Sequence, residues 1–173
     1  MKPSNWIQFT WDLSALTGSG TELPEHYQIV PATPEDEKEL RRVISSSFTL
    51  DPTWNPALQE ITQTIEAWLD RANESGTIAY LALRHGTRMI GAAVISLDPS
   101  AESNLLPGPC VLMEYRNRGF GTLLLERSLL TLREAGFERA SAIGMENSPV
   151  TKFLYPKFQS TQAPHDFTAA LAA

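Results

Sequence analysis

An apolar stretch, Cys110-Val111-Leu112-Met113, runs through Glu114 and Tyr115 into Arg116-Asn117-Arg118-Gly119-Phe120-Gly121-Thr122 and then into a leucine-rich helical pattern. Glycines between a strand and a helix N-terminus expose backbone N–H groups and the positive end of the helix dipole, with no Cβ to hold a phosphate away. The chemistry on offer is anion binding. Two common phosphate loops do not fit. A P-loop ends in Gly-Lys-Ser or Gly-Lys-Thr, which this chain lacks, and a dinucleotide fingerprint needs a third glycine where Leu124 stands. Cys110, the sole cysteine, has no histidine near it in sequence, so it reads as packing rather than as a nucleophile. His26, His85 and His165 are too scattered for a ligand cluster, and no metal is expected.

The elements that must position this loop follow from periodicity. Tyr27-Gln28-Ile29-Val30 predicts a strand. Thr33 then predicts an N-cap with Pro34 at N1 and acids behind it, opening a helix with Leu40, Val43, Ile44 and Phe48 on one face. A second helix is predicted over 55–72, after a loop over 49–54. Residues 77–84 and 88–97 are β-prone runs flanking His85-Gly86-Thr87, a hairpin. Residues 110–113 predict a short strand and 123–135 a helix closed by Gly136 at C′. A strand over 140–145 and a short helix opened by Ser148-Pro149 follow. The order β-α-α-β-β-β-α-β-α-β predicts a mixed α+β (α/β) protein with helices on the faces of its sheet. The first 25 residues read as an N-terminal extension, in which Trp6 to Trp11 could add a strand, and 26–173 as a single domain.

The net charge of −6 argues against a nucleic-acid or anionic-membrane partner, and no apolar run approaches a membrane span. With no apolar leader behind a basic start, the cytoplasm is the default expectation. Residues 111–158 nevertheless hold seven Lys and Arg against five Asp and Glu. The glycine loop is thus locally basic in an acidic chain, a distribution that steers a polyanion to it.

As Arg-x-x-Gly-x-Gly, Arg116 to Gly121 resembles the pyrophosphate-binding motif of the GNAT (GCN5-related N-acetyltransferase) superfamily. Its approach through Val111 resembles the family's Val-x-Pro-x-x-Arg, with Met113 in place of the proline. Ala135-Gly136-Phe137 is similar to the family's helix stop, and Asn147 with Tyr155 eight residues later resembles its second signature. The resemblance implies a mostly antiparallel twisted sheet and acetyl-coenzyme A as cosubstrate. It implies that backbone groups of Val111 and Met113 hold the pantetheine arm. N–H groups from Arg118 through Phe120 and Gly121 to Thr122 would hold the pyrophosphate, with Arg116 or Arg118 supplying charge. Asn147 would contact the pantetheine arm or a water, and Tyr155 would lie near the sulfur as catalytic proton donor.

The reaction so implied is direct attack of a neutral amine on the thioester through a tetrahedral intermediate. Neutralising a lysine-type amine at pH 7 costs about 4.6 kcal/mol, and a phenol is about 2 kcal/mol too weak to protonate a thiolate fully, so Tyr155 would act chiefly by hydrogen bonding. No carboxylate stands on residues 104–113 to act as base; Asp51 and Trp54, in the loop between the first helices, are candidates for the acceptor site. A non-catalytic acyl-CoA sensor and a different nucleotide-binding protein are the competing readings. Only 15 residues follow Phe158, enough for one further strand where the family has two. Either the sheet lacks its last strand, or the segment around Trp6 to Trp11, or a partner in a homodimer, fills that edge. Pro156 would end or bend the helix carrying Tyr155.

Overall fold

The computed structural model describes residues 6–18, 22–49, 77–101, 103–105, 108–146, 148 and 150–165, with the single positions 63, 66, 67 and 70. The predicted helix over 55–72 lies outside the described residues except at those four positions, which are helical.

Alternating apolar residues around a tight turn give the hairpin of β3 (Ile78–His85) and β4 (Arg88–Ser96), in which Gly86 takes the left-handed φ of +61° that the turn demands. β2 (Tyr27–Pro31) pairs antiparallel with β3, and β5 (Cys110–Val111) pairs antiparallel with β4, giving the order β2-β3-β4-β5. Thr33 opens the next element as expected. Its N–H donates to Asp36 Oδ2 at 3.0 Å before α1 (Glu37–Thr49), which buries Leu40, Val43 and Ile44. α2 (Phe120–Glu134) buries Leu124, Leu125, Leu129 and Leu132. It ends at Gly136, whose φ is +96°, and Phe137 N–H returns to Leu132 O at 3.0 Å. Both helices contact β4, and β4 is buried from Met89 to Ser96, so this sheet is covered on both faces.

β1 (Trp6–Asp12) forms the middle of a second sheet. It runs antiparallel to β6 (Arg139–Met145) on one side and to β7 (Thr161–His165) on the other. The segment around Trp6 to Trp11 thus joins the sheet, not at its edge but as the strand between β6 and β7. Phe9, Trp11 and Leu13 are fully buried, and Trp11 Nε1–H donates to Lys157 O at 2.9 Å. Between β6 and β7 the expected short helix is present as one wide turn, Val150–Leu154, closed by Tyr155 N–H to Val150 O at 2.9 Å. Pro156 follows and has no N–H with which to continue it.

The two sheets join at one short segment. Ser96 N–H donates to Asn104 O and Asn104 N–H to Ser141 O, each at 2.7 Å. The Asn104 side chain donates to Ser96 O at 3.2 Å and accepts from Ser141 N–H at 2.9 Å, while Ser103 Oγ accepts from Ile143 N–H at 3.2 Å. Beyond this stitch β5 and β6 no longer pair, and the sheet parts into a wedge.

Candidate active site

Two glycines shape the vertex of the wedge. A Cβ on Gly108 would fall on the Tyr155 hydroxyl, and one on Gly144 would meet Thr151 Oγ1 and the Tyr155 ring, whose Cε2 is 3.3 Å away. The Tyr155 ring therefore occupies the space where two side chains are missing. It packs against Phe9 and Trp11 with centroid distances of 5.3 and 5.7 Å and is 3% exposed. Burial, with a smaller contribution from Cys110, pushes its phenol well above the ordinary value, partly offset by the Gly108 backbone. Tyr155 is thus neutral across the physiological range and able to donate a hydrogen bond.

Beside the vertex a cavity of about 330 Å³ runs along β5 toward the N-terminus of α2, and Tyr155, Gly108 and Gly144 are not among its lining residues. Cys110 and Leu112 turn their backbone polar groups to β4, as Leu112 N–H to Ile90 O at 2.9 Å shows. Alternation then points those of Val111 into the wedge. Its carbonyl already accepts from Arg116 Nε–H at 3.0 Å, so the Val111 N–H is the group left to meet a ligand strand. The sequence predicted a strand through Met113, but extended structure stops at Val111. Met113 instead opens a 3₁₀ turn ending at Tyr115, is 42% exposed, and its carbonyl accepts from Arg116 N–H at 3.2 Å.

The loop itself is concave. Asn117 and Gly119 have φ of +65° and +83°, and such left-handed positions make neighbouring N–H groups converge. The first bond of the helix runs from Leu123 N–H to Gly119 O at 3.2 Å. The N–H groups of Phe120, Gly121 and Thr122 thus precede the intrahelical ladder. The helix starts three residues earlier than its leucine pattern announces, because Gly119 is its N-cap and Gly121 lies in its first turn. Gly121 has no room for a side chain: a Cβ there would stand 2.9 Å from Leu154 Cδ1.

Arg116 is a tether as much as a charge. Besides Val111 O, it donates from Nη2 to Ser47 O at 2.7 Å, tying the loop to the ends of β5 and α1. Arg118 is exposed, folds over the Tyr115 ring at 5.4 Å and reaches Glu114 O at 3.4 Å. The Phe120 side chain is buried against Tyr27, 4.7 Å between centroids, so only its backbone faces the loop. Cys110 lines the cavity, yet burial pushes its thiol up to about 12, which leaves no thiolate for nucleophilic work near neutral pH. Asn147, Asp51 and Trp54 lie outside the described residues. Sequence reasoning passed over Phe153, Leu154 and Lys157, which form the far wall. Their signal was present in the helical spacing after β6, but their aim toward the loop was not.

Fold and site together define a mixed α+β protein whose sheet parts beside the N-terminus of α2. A model of the acetyltransferase (GNAT) family matches residues 38–158, and the chain belongs to that family. Among solved structures it is similar to a GCN5-related N-acetyltransferase from Sphaerobacter thermophilus, with 15% identity, a TM-score of 0.61, and 94% of this chain and 50% of that one covered. It is also similar to a putative GNAT-family acetyltransferase from Novosphingobium aromaticivorans, with 14% identity, a TM-score of 0.57, and 93% and 61% covered. A GCN5-related N-acetyltransferase from Kribbella flavida gives 12% identity, a TM-score of 0.55, and 93% and 55% covered. The chain therefore spans between half and about three fifths of the length of these structures. No curated protein matches it. Among the described residues, no helix is long and apolar enough to cross a membrane, and no three His, Cys, Asp or Glu side chains gather as metal ligands.

Proposed function

We propose that this chain binds acetyl-coenzyme A in the wedge and transfers the acetyl group to an amine. The observation that carries the reading is the continuity of one cavity from the inward-facing Val111 to the convergent loop at residues 117–122. An extended amide-bearing arm fits the open strand edge, and a pyrophosphate fits the loop, so the residues present suit this cosubstrate. The Val111 N–H would hold the arm, and the N–H groups of Phe120, Gly121 and Thr122 the pyrophosphate. Arg116 fixes the loop's shape and supplies charge beside it. The bound thioester supplies an activated acetyl group and a thiolate leaving group. Tyr155, neutral and packed behind the Cys110 end of the cavity, would donate a hydrogen bond toward the leaving sulfur rather than surrender its proton, since burial makes it a still weaker acid than a free phenol.

Coenzyme A release measured against a panel of primary amines tests this. Turnover on at least one amine is expected, with Tyr155→Phe lowering kcat about tenfold to a hundredfold at unchanged affinity for acetyl-coenzyme A. Tight binding with no turnover on any amine would instead make the chain an acyl-CoA sensor. Stronger thermal protection by ATP or NAD than by acetyl-coenzyme A would overturn the donor assignment.

A further inference from the structure

Phe153 is 67% exposed, the more exposed of the two large apolar side chains left in solvent among the described residues. It lines the same cavity as the loop and stands on the wide turn Val150–Leu154. Its neighbour Leu154 is held against Gly121, so the turn cannot drift from the α2 N-terminus without losing that contact. Lys157 lines the wall beside it, its backbone fixed by the bond from Trp11 Nε1. Among the described residues neither Lys157 nor the nearby exposed Lys152 is ion-paired with a carboxylate. An exposed aromatic face and free cations next to a phosphate-ready loop match the nucleotide end of the donor, a flat base followed by further phosphate.

We propose that Phe153 is the platform on which the adenine of the cosubstrate stacks, with Lys157 facing the phosphate charge of the same nucleotide. This rests on the donor reading above. It assigns part of the affinity to the turn after β6, away from both the thioester and the glycine loop. Recognition there is by π-face and charge, so it grips the nucleotide regardless of the acyl group carried.

The test compares coenzyme A with 4′-phosphopantetheine, which lacks the nucleotide, by calorimetric titration of the whole chain and of Phe153→Ala, Phe153→Trp and Lys157→Gln. Stacking is worth about tenfold to a hundredfold in affinity. Phe153→Ala should therefore weaken coenzyme A by that factor and 4′-phosphopantetheine by less than about twofold, while Phe153→Trp should restore coenzyme A binding. Lys157→Gln should weaken coenzyme A and flatten its salt dependence. Phe153 is exposed, so these variants should melt with the parent. If the parent binds coenzyme A and Phe153→Ala binds it equally, or loses both ligands alike, the platform is refuted and the donor reading stands. A parent that binds neither ligand refutes the donor reading itself. A self-associating parent that becomes monomeric in Phe153→Ala, with coenzyme A affinity unchanged, would give the ring to a second copy of the chain and refute the proposal.

Discussion

Gly108→Ala is the most direct challenge to the vertex. Gly108 does not have a left-handed φ, so alanine should by itself stabilise by about 0.4–1 kcal/mol through the unfolded chain. The packing opposes this. The new methyl falls on the Tyr155 hydroxyl, with Cε1 and Cζ each 3.0 Å away, and the ring cannot retreat because Phe9 and Trp11 stand behind it. Overpacking of that kind costs about 1–3 kcal/mol, so a net loss of about 1–2 kcal/mol is expected. For a chain of 173 residues this is a fall in Tm of roughly 3–6 °C. The diagnostic is the coupling. Tyr155→Phe removes the atom that meets the methyl, so the double variant should be more stable than the sum of the single losses by about 1 kcal/mol. Relief is partial because the two ring carbons remain. Urea unfolding followed by tryptophan fluorescence suits the purpose, since buried Trp11 lies against the Tyr155 ring. Losses that add within about 0.5 kcal/mol, or a stabilising Gly108→Ala, would show that the ring and Gly108 do not meet as described.

Alkaline pH should destabilise the fold in a defined window. Folding raises the Cys110 thiol from 9.0 to about 12, so above pH 9 the unfolded chain releases a proton that the folded chain keeps, and stability falls by up to about 1.4 kcal/mol per pH unit. Tyr155, also raised, adds the same sign from pH 10 upward. Urea midpoints between pH 8.5 and 10.5 should drop for the parent and stay level to about pH 10 in Cys110→Ala; equal slopes in the two would remove the thiol from the account. Deleting residues 1–12 takes away the partner of both β6 and β7, and the product should lack a cooperative thermal transition. A truncated chain that melts sharply near the parent temperature would show that β1 is an accessory.

What could be read in advance followed from local signals. The Thr33 cap, the Gly86 hairpin and the Gly136 stop each rest on backbone rules a few residues long, and the structure places each where the sequence predicts it, whereas α2 takes Gly121 into its first turn. The wedge was not legible in this way, because nothing near Asn104 announces that its side chain will serve Ser96 and Ser141 at once. Gly108 reads as part of a linker until Tyr155, 47 positions later, arrives above it. Arg116 was legible as a positive charge but not as a donor to Ser47 O across 69 residues. Met113 looked like strand, yet the chain must turn after Val111 to bring Arg116 back to that carbonyl.

The central place of β1 has a consequence for biosynthesis. Trp11 leaves the ribosome long before Lys157, 146 positions on, can offer its carbonyl, and both strands that flank β1 are made in the same late interval. Until then an apolar strand carrying Phe9 and Trp11 has no native partner, while β2, β3 and β4 can already assemble. The second sheet can therefore close only at the end of translation of this region, as a slow, high-contact-order step. A nascent chain of this protein should depend on whatever shields β1 in the meantime.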